Sequence, residues 1–278
     1  MNKAKASCPA GISFLFKVCP HRNLLKMGSI GVSCTIDKKV EVEIEKAQTT
    51  KIIFNDKLIK FPTVSYVINK LAKTPVLVSI KSSLPLGYGF SISGASSLAT
   101  ASALNKLFNH RKTKTELSKI AHVAEIVNHT GLGSVGTQIT GGFLLKRRPG
   151  LPVSAINLPF AGKKLYAVII DKLLTPSILQ DKKRIQKVNA TTDFYLQKLK
   201  DNKSLQLGDV IDTSFDFVEK TGLLRDKRVI SVIDKIKMSG GHATMAILGR
   251  VVISDIPFVS QIYQVVELII TEDFAKLS

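Results

Sequence analysis

With 278 residues, 45% of them apolar, the chain has enough material for one large folded domain or two smaller ones, and neither a bilayer-spanning run nor a secretory signal is expected in it. Cys8, Cys19 and Cys34 are odd in number and far apart, which speaks against a disulfide framework or a zinc site and for reduced thiols in a cytoplasmic protein. The net charge of +19 is concentrated: between Lys57 and Ile170, 15 basic residues meet only Glu116 and Glu125, a local excess of +13 that attracts phosphorylated ligands and polyanions alike. With no Trp and 6% aromatics there is little from which to build base-stacking platforms, so nucleic acid is the less favoured partner.

In chain order, Gly31-Val-Ser-Cys-Thr-Ile36 and Val40-Glu-Val-Glu-Ile44 read as strands. Val76-Leu-Val-Ser-Ile80 is a third. A helix is predicted over Ser96–Phe108, with Leu98, Ala101, Leu104 and Phe108 on one face. Another spans about Lys114 to Asn128, its capped start read at Thr115-Glu-Leu-Ser118. Lys146-Arg147-Arg148-Pro-Gly150 makes a basic turn. Tyr166–Ile170 is a strand, a long charged helix runs from near Ser177 to Lys200, and further helical segments reach about Ile236. The apolar runs 244–254 and 264–271 close the chain as two strands, or a helix and a strand. A soft domain boundary falls near 155–165, and the interleaved elements predict an α+β or α/β protein.

Between the third strand and its helix lies Leu84-Pro85-Leu-Gly87-Tyr-Gly89-Phe-Ser91-Ile-Ser93-Gly94-Ala95-Ser96-Ser97. Glycines allow close backbone approach to a ligand, and free N–H groups at a helix start favour an anion. Serine and glycine make an ordinary helix cap and turn equally well. A Walker loop is absent, and Gly131-Leu-Gly133-Ser-Val-Gly136, although it fits a dinucleotide pattern, follows a helix and has no acid between Ile126 and Ile170 for a ribose. If a magnesium ion accompanies bound phosphates, Glu125 is nearly the sole carboxylate available to it. His122 and His129, seven apart, lack a third ligand and suit a surface or supporting role better than a metal site.

The segment Pro85–Ala95 resembles the second motif of the GHMP kinases, roughly Pro-x-Gly-x-Gly-Leu-Gly-Ser-Ser-Ala-Ala. Cys8-Pro-Ala-Gly, Met27-Gly-Ser29-Ile-Gly31, Ala121-His-Val-Ala-Glu125, Thr130-Gly-Leu-Gly133, Gly141-Gly-Phe143, Arg147-Arg148-Pro-Gly150, Thr175-Pro-Ser-Ile-Leu179 and Ser239-Gly-Gly-His-Ala-Thr-Met-Ala-Ile-Leu-Gly249 narrow the likeness to the archaeal kinases of pantoate. The resemblance runs from residue 8 to residue 249. It implies an α+β GHMP kinase fold, with a ribosomal protein S5 domain 2-like unit over 1–160 and a ferredoxin-like unit over 161–278. The implied reaction is ATP-dependent phosphorylation of the primary hydroxyl of pantoate, a step towards coenzyme A, with Mg²⁺ as cofactor and a homodimer suggested.

Carried over by position, the resemblance assigns Pro85, Gly87, Gly89, Ser91, Ser93, Gly94, Ala95, Ser96 and Ser97 to the nucleotide phosphates. It assigns Ser93 and Glu125 to the metal, and Ser29 with Arg147 or Arg148 to the substrate. Two departures stand out. Ser91 occupies a position usually held by glycine, which disfavours positive φ there. Ser134 replaces the aspartate that usually follows Gly133 as catalytic acid–base, a role in which general base help is worth about 100- to 10,000-fold. Phosphoryl transfer relies more on positioning and charge neutralisation, so Ser134 and Glu125 remain the candidate catalytic residues, with His129 as a substitute base. A kinase of another small hydroxy acid or alcohol, and a non-catalytic binding protein on the same scaffold, are the alternatives.

Overall fold

The computed structural model describes residues 2–173 and 178–277. Thr175-Pro-Ser177, part of one landmark, and the expected helix start at Ser177 lie outside the described residues. Two long antiparallel strands, β1 (Lys3–Cys19) and β2 (Gly28–Lys46), form the spine. The two short strands expected at 31–36 and 40–44 are parts of one 19-residue strand, in which Val40, Val42 and Ile44 are buried while Glu41 is exposed. That alternation of period two covers one face with apolar side chains and leaves the carboxylates to water.

On the side of β2 away from β1, β6 (Phe143–Arg148), β11 (Gln264–Thr271) and β5 (Val76–Ser82) pair in succession along its length. β3 (Lys51–Phe54) and β4 (Lys57–Leu58) extend one edge, and β7 (Ser154–Leu158) pairs with β6. β8 (Lys164–Asp171) pairs with β11 and with β10 (Arg250–Ser254), and β10 with β9 (Ala243–Met245). The expected strand or helix at 244–254 is thus a hairpin. β11, late in the chain, joins the strands of the carboxy-terminal half to β2.

Three helices, α1 (Pro62–Leu71), α2 (Ile92–Leu107) and α3 (Lys114–Val127), pack on one another, with α2 against β1 and β2. The short α4 (Ser134–Thr140) follows α3. α5 (Lys182–Asp201), α6 (Leu207–Thr221) and α7 (Lys227–Met238) serve the carboxy-terminal half. α3 starts at Lys114 as expected, but its cap is Thr113, whose side chain forms a capping box with Glu116, two residues before the expected cap.

Among the described residues no strand pairs with the outer edge of β1; loop backbone (Gly11 N–H to the Phe90 carbonyl, 3.0 Å, and Ile247 N–H to the Ser13 carbonyl, 3.1 Å) and side chains cap it instead. Ser214 donates to the Phe14 carbonyl (2.8 Å), Thr192 to that of Phe16 (2.9 Å), and the Asn189 amide exchanges two bonds with the Val18 backbone (2.8 and 2.9 Å). This satisfies the edge and ties α5 and α6 to the spine.

In the core Phe143 stacks on Phe14 (ring centroids 5.2 Å apart) and meets Phe160 edge-on (5.1 Å), with no exposure of its own. Truncation leaves a cavity among rigid neighbours, so Phe143→Ala is expected to cost about 3–5 kcal/mol in urea unfolding. Leu58→Ala, on the exposed β4, should shift stability by no more than about 0.5 kcal/mol.

Candidate active site

α2 begins at Ile92, four residues before the helix start expected from periodicity. Its N-cap, Ser91, has φ 55° and ψ 27°, the left-handed region, and its side chain makes no capping bond. A non-glycine residue held there costs about 1–3 kcal/mol and persists where its surroundings over-determine it. They do: Gln138 Nε2 donates to the Ser91 carbonyl (2.9 Å), Ala95 N–H donates to the same oxygen (3.1 Å), and Gly11 N–H donates to Phe90 next to it (3.0 Å). Serine thus takes the conformation that its chemistry disfavours. Upstream, Gly89 (φ 88°) lies against Gly249: a Cβ on Gly249 would fall 2.1 Å from the Tyr88 carbonyl. The β9–β10 turn therefore presses on the loop, and Leu173 N–H donates to the Gly87 carbonyl (3.0 Å).

The loop opens on a cavity of about 270 Å³. Its walls include Ser13, Ser29 and Ser33 from the spine strands, Lys60 to Pro62, Gly87, Gly89 to Ser93, Thr130 to Ser134, Lys146, and Leu173, Leu179, Ile247 and Leu248 from the second half. Both α1 and α2 begin at this cavity, with Phe61 and Ser91 as N-caps, no side-chain cap and no acid in the first turn. α3, α5 and α7, which start elsewhere, are closed by Thr113, Asp181 and Asp226. Bare N–H groups and positive dipole ends at the cavity make it a site for anions.

Of the residues expected on the phosphates, Gly87, Gly89, Ser91 and Ser93 line the cavity; Pro85 and Gly94 do not. Ala95, Ser96 and Ser97 are corrected: because the helix starts early, they sit in its second turn, fully buried and off the cavity wall. Ser97 donates to the Gly94 carbonyl (2.9 Å). Gly94 is buried, and a Cβ there would meet Gln138 Oε1 at 2.7 Å and Glu125 Oε2 and Ser134 Oγ at 3.1 Å each. Ser93 Oγ donates to Thr63 Oγ1 (3.1 Å), which is itself bonded to Thr130 Oγ1 (2.9 Å).

Ser29 lines the cavity as expected of a substrate contact. Arg147 and Arg148 do not: both are exposed, because a bulge between Lys146 and Arg148 breaks the alternation of β6. The buried cation on the wall is Lys146, 7% exposed, with Nζ donating to the Gly133 carbonyl (3.0 Å), whereas Lys60, also on the wall, is exposed. A Cβ on Gly133 would sit 2.4 Å from both Lys146 Nζ and Ser29 Oγ, so a larger residue there would displace these two side-chain ends. Lys146, Thr63, Thr130 and Gln138 went unrecognised in the sequence; the one available signal was a lysine following three apolar strand residues. His129 is exposed and off the cavity wall, which removes it as a substitute base, and His122 is not a surface residue but is buried, its Nε2–H donating to the Met27 carbonyl (2.9 Å).

Glu125 is buried behind Ser134, whose hydroxyl donates to its Oε2. Burial pushes its pKa up from 4.5 to about 7, against the opposing effects of the Ser134 hydroxyl, the Val135 N–H and the Lys146 charge. Burial likewise pulls Lys146 down from 10.5 to about 8, offset in part by Glu125. Ser93, which lines the cavity, and Glu125, which does not, each offer oxygen, which suits a hard cation. Among the described residues no cluster of three or more His, Cys, Asp or Glu forms a cage for a metal, so phosphate oxygens would have to complete its shell.

Residues 58–142 match the family model of the GHMP kinases N terminal domain. The pantoate kinase of Methanocaldococcus jannaschii is 31% identical over 249 residues, covering 87% of this chain and 88% of that protein. The chain belongs to the pantoate kinase family of the GHMP kinases. Its fold agrees: a structure described as a phosphotransferase related to the CoA biosynthesis pathway superposes with a TM-score of 0.83 at 24% identity, covering 99% of this chain and 98% of that one. A structure of MDDEF in complex with MVAPP, AMPPCP and magnesium gives 0.73 at 13% identity, over 98% and 97%. Among the described residues no helix is long and apolar enough to cross a membrane.

The folded chain holds the Glu125 proton more tightly than the unfolded chain, so the stability this group contributes is full below about pH 4.5 and drains away as pH rises through about 7. Glu125→Gln is therefore expected to stabilise the nucleotide-free protein above pH 7, by up to about 3 kcal/mol, and to leave it unchanged near pH 4.5. Thermal unfolding of both proteins across this range checks it.

Proposed function

We propose that the chain is an ATP-dependent kinase that phosphorylates the primary hydroxyl of pantoate, giving 4-phosphopantoate and ADP. The observation that carries this reading is the convergence on one cavity of two uncapped helix starts and a buried lysine. The helix starts offer backbone donors for a polyphosphate, and the lysine offers a cation for a carboxylate. Membership of the family and the pantoate kinase named among its relatives support the choice of substrate.

In this reading the amides of the turn around Ser91 and the start of α2 hold the phosphates and keep the transferring group facing Lys146 and Ser29. Lys146 binds the pantoate carboxylate; Ser29 Oγ, beside it at Gly133, orients the substrate. Ser93 and Glu125 would hold Mg²⁺, which when bound with the nucleotide neutralises phosphate charge as it builds during transfer. Ser134 does not act as a strong base; its hydroxyl keeps Glu125 oriented, and rate comes from positioning and charge neutralisation. Residues 1–160 and 161–278 form the two functional units, with the cavity walled by both. Cytoplasmic location and a homodimeric assembly belong to the same proposal.

Incubation with ATP, Mg²⁺ and a panel of hydroxy acids should release ADP with pantoate and yield 4-phosphopantoate by mass spectrometry. Turnover with a different acid alone would overturn the substrate, and nucleotide binding without turnover on any alcohol would mark a non-catalytic member. Glu125→Ala is expected to abolish Mg²⁺-dependent turnover. Lys146→Ala should raise KM for pantoate roughly ten- to hundredfold, the equivalent of a charged hydrogen bond of about 1.5–3 kcal/mol, with KM for ATP little changed.

A further inference from the structure

We propose that Gln138 is a positioning residue: its side-chain amide clamps Ser91 in the left-handed turn and so sets the phosphate-facing start of α2 for nucleotide. The inference rests on the kinase reading above for its meaning, and on geometry for its substance.

Gln138 is fully buried on α4. One atom of its amide lies 2.9 Å from the Ser91 carbonyl and 3.1 Å from the Pro9 carbonyl. Two acceptors at hydrogen-bond distance identify that atom as the NH₂ nitrogen, with both hydrogens used. The oxygen, Oε1, is left buried with no partner among the described residues, 2.7 Å from where a Cβ on Gly94 would stand. A glutamine kept in a core with its acceptor unsatisfied is held there by what its donors do. Those donors join the first strand to the one residue of the loop whose backbone conformation is unfavourable for its type. The Gln138 side chain, Glu125 and Ser134 all crowd the space in front of Gly94, where a Cβ would lie 2.7 Å from Gln138 Oε1 and 3.1 Å from Glu125 Oε2 and Ser134 Oγ. The backbone of α4 is anchored in turn, since Ala275 N–H donates to the Gln138 carbonyl (2.7 Å).

A clamp on a strained residue makes a prediction that a mere core filler does not. If the residue no longer needs holding, the clamp becomes dispensable, and glycine at position 91 meets that condition because left-handed φ costs it little. Gln138→Met keeps the volume and removes the donors. It is expected to weaken binding of a non-hydrolysable ATP analogue about tenfold, to raise KM for ATP more than it lowers kcat, and to speed amide exchange selectively over residues 87–95 in the nucleotide-free protein. Adding Ser91→Gly should restore most of the affinity and the protection; adding Ser91→Ala, which keeps the strain, should not.

Wild-type affinity and exchange in Gln138→Met would overturn the clamp, as would a loss that Ser91→Gly fails to repair better than Ser91→Ala. If Gln138→Met does not fold, the two double variants decide: recovery of folding with glycine alone supports the clamp, and failure of both makes Gln138 a packing residue and ends the inference. A wild-type chain that binds no ATP analogue overturns the kinase reading instead, while the exchange measurement still reads the clamp without nucleotide.

Discussion

The site depends on a helix start left without a cap. A helix exposes four backbone N–H groups at its beginning, and in α3, α5 and α7 a side-chain oxygen takes up part of that demand. In α2 it does not, because the chain enters through Ser91 in a conformation that carries the hydroxyl away from the helix amides. The result is a local instability with a use: bare donors, a positive dipole end, and no acid in the first turn to compete with an incoming anion. The strain of about 1–3 kcal/mol at Ser91 is borne by hydrogen bonds from Gln138 and by the β9–β10 turn pressed against Gly89.

The same economy governs Glu125 and Lys146. Each is buried, each is displaced towards its neutral form by desolvation, and each draws the other part of the way back. A buried pair of this kind is a poor source of stability, because removing two charges from water offsets most of their attraction. It makes sense as a site waiting for further charge: phosphates and a divalent cation near Glu125, a carboxylate near Lys146. Where the family pattern has an aspartate, Ser134 instead supplies a donor to Glu125, so this chain keeps one buried carboxylate at that corner rather than two facing each other.

Placement of these groups follows from β2. A strand of 19 residues flanked on one side by β1 and on the other by β6, β11 and β5 brings distant segments to one surface. Ser29 and Lys146 meet because Gly31 pairs with Lys146 across β2 and β6. Leu248 and Leu173 reach the loop because β11 and β8 carry the second half back against the spine.

Several features were legible in the sequence alone. The residues of β5, α3 and β8 follow from periodicity within one or two positions, and the glycine–serine loop declared itself by composition. The acid-poor stretch left Glu125 nearly the sole carboxylate available to a metal, and the fold buries it beside Ser134. What the sequence could not decide was where α2 begins, since Ser93, Gly94 and Ala95 read locally as loop and become helix only because Gln138 and Gly11 hold the turn before them. Nor could it find the buried cation: motif likeness pointed to Arg147 or Arg148, and a bulge in β6 leaves both in solvent while Lys146 lies inside. Local propensity settles the identity of elements, whereas the side of a strand a charge takes, and the residue that bears a left-handed turn, are settled by partners on other elements, tens of residues away in the chain.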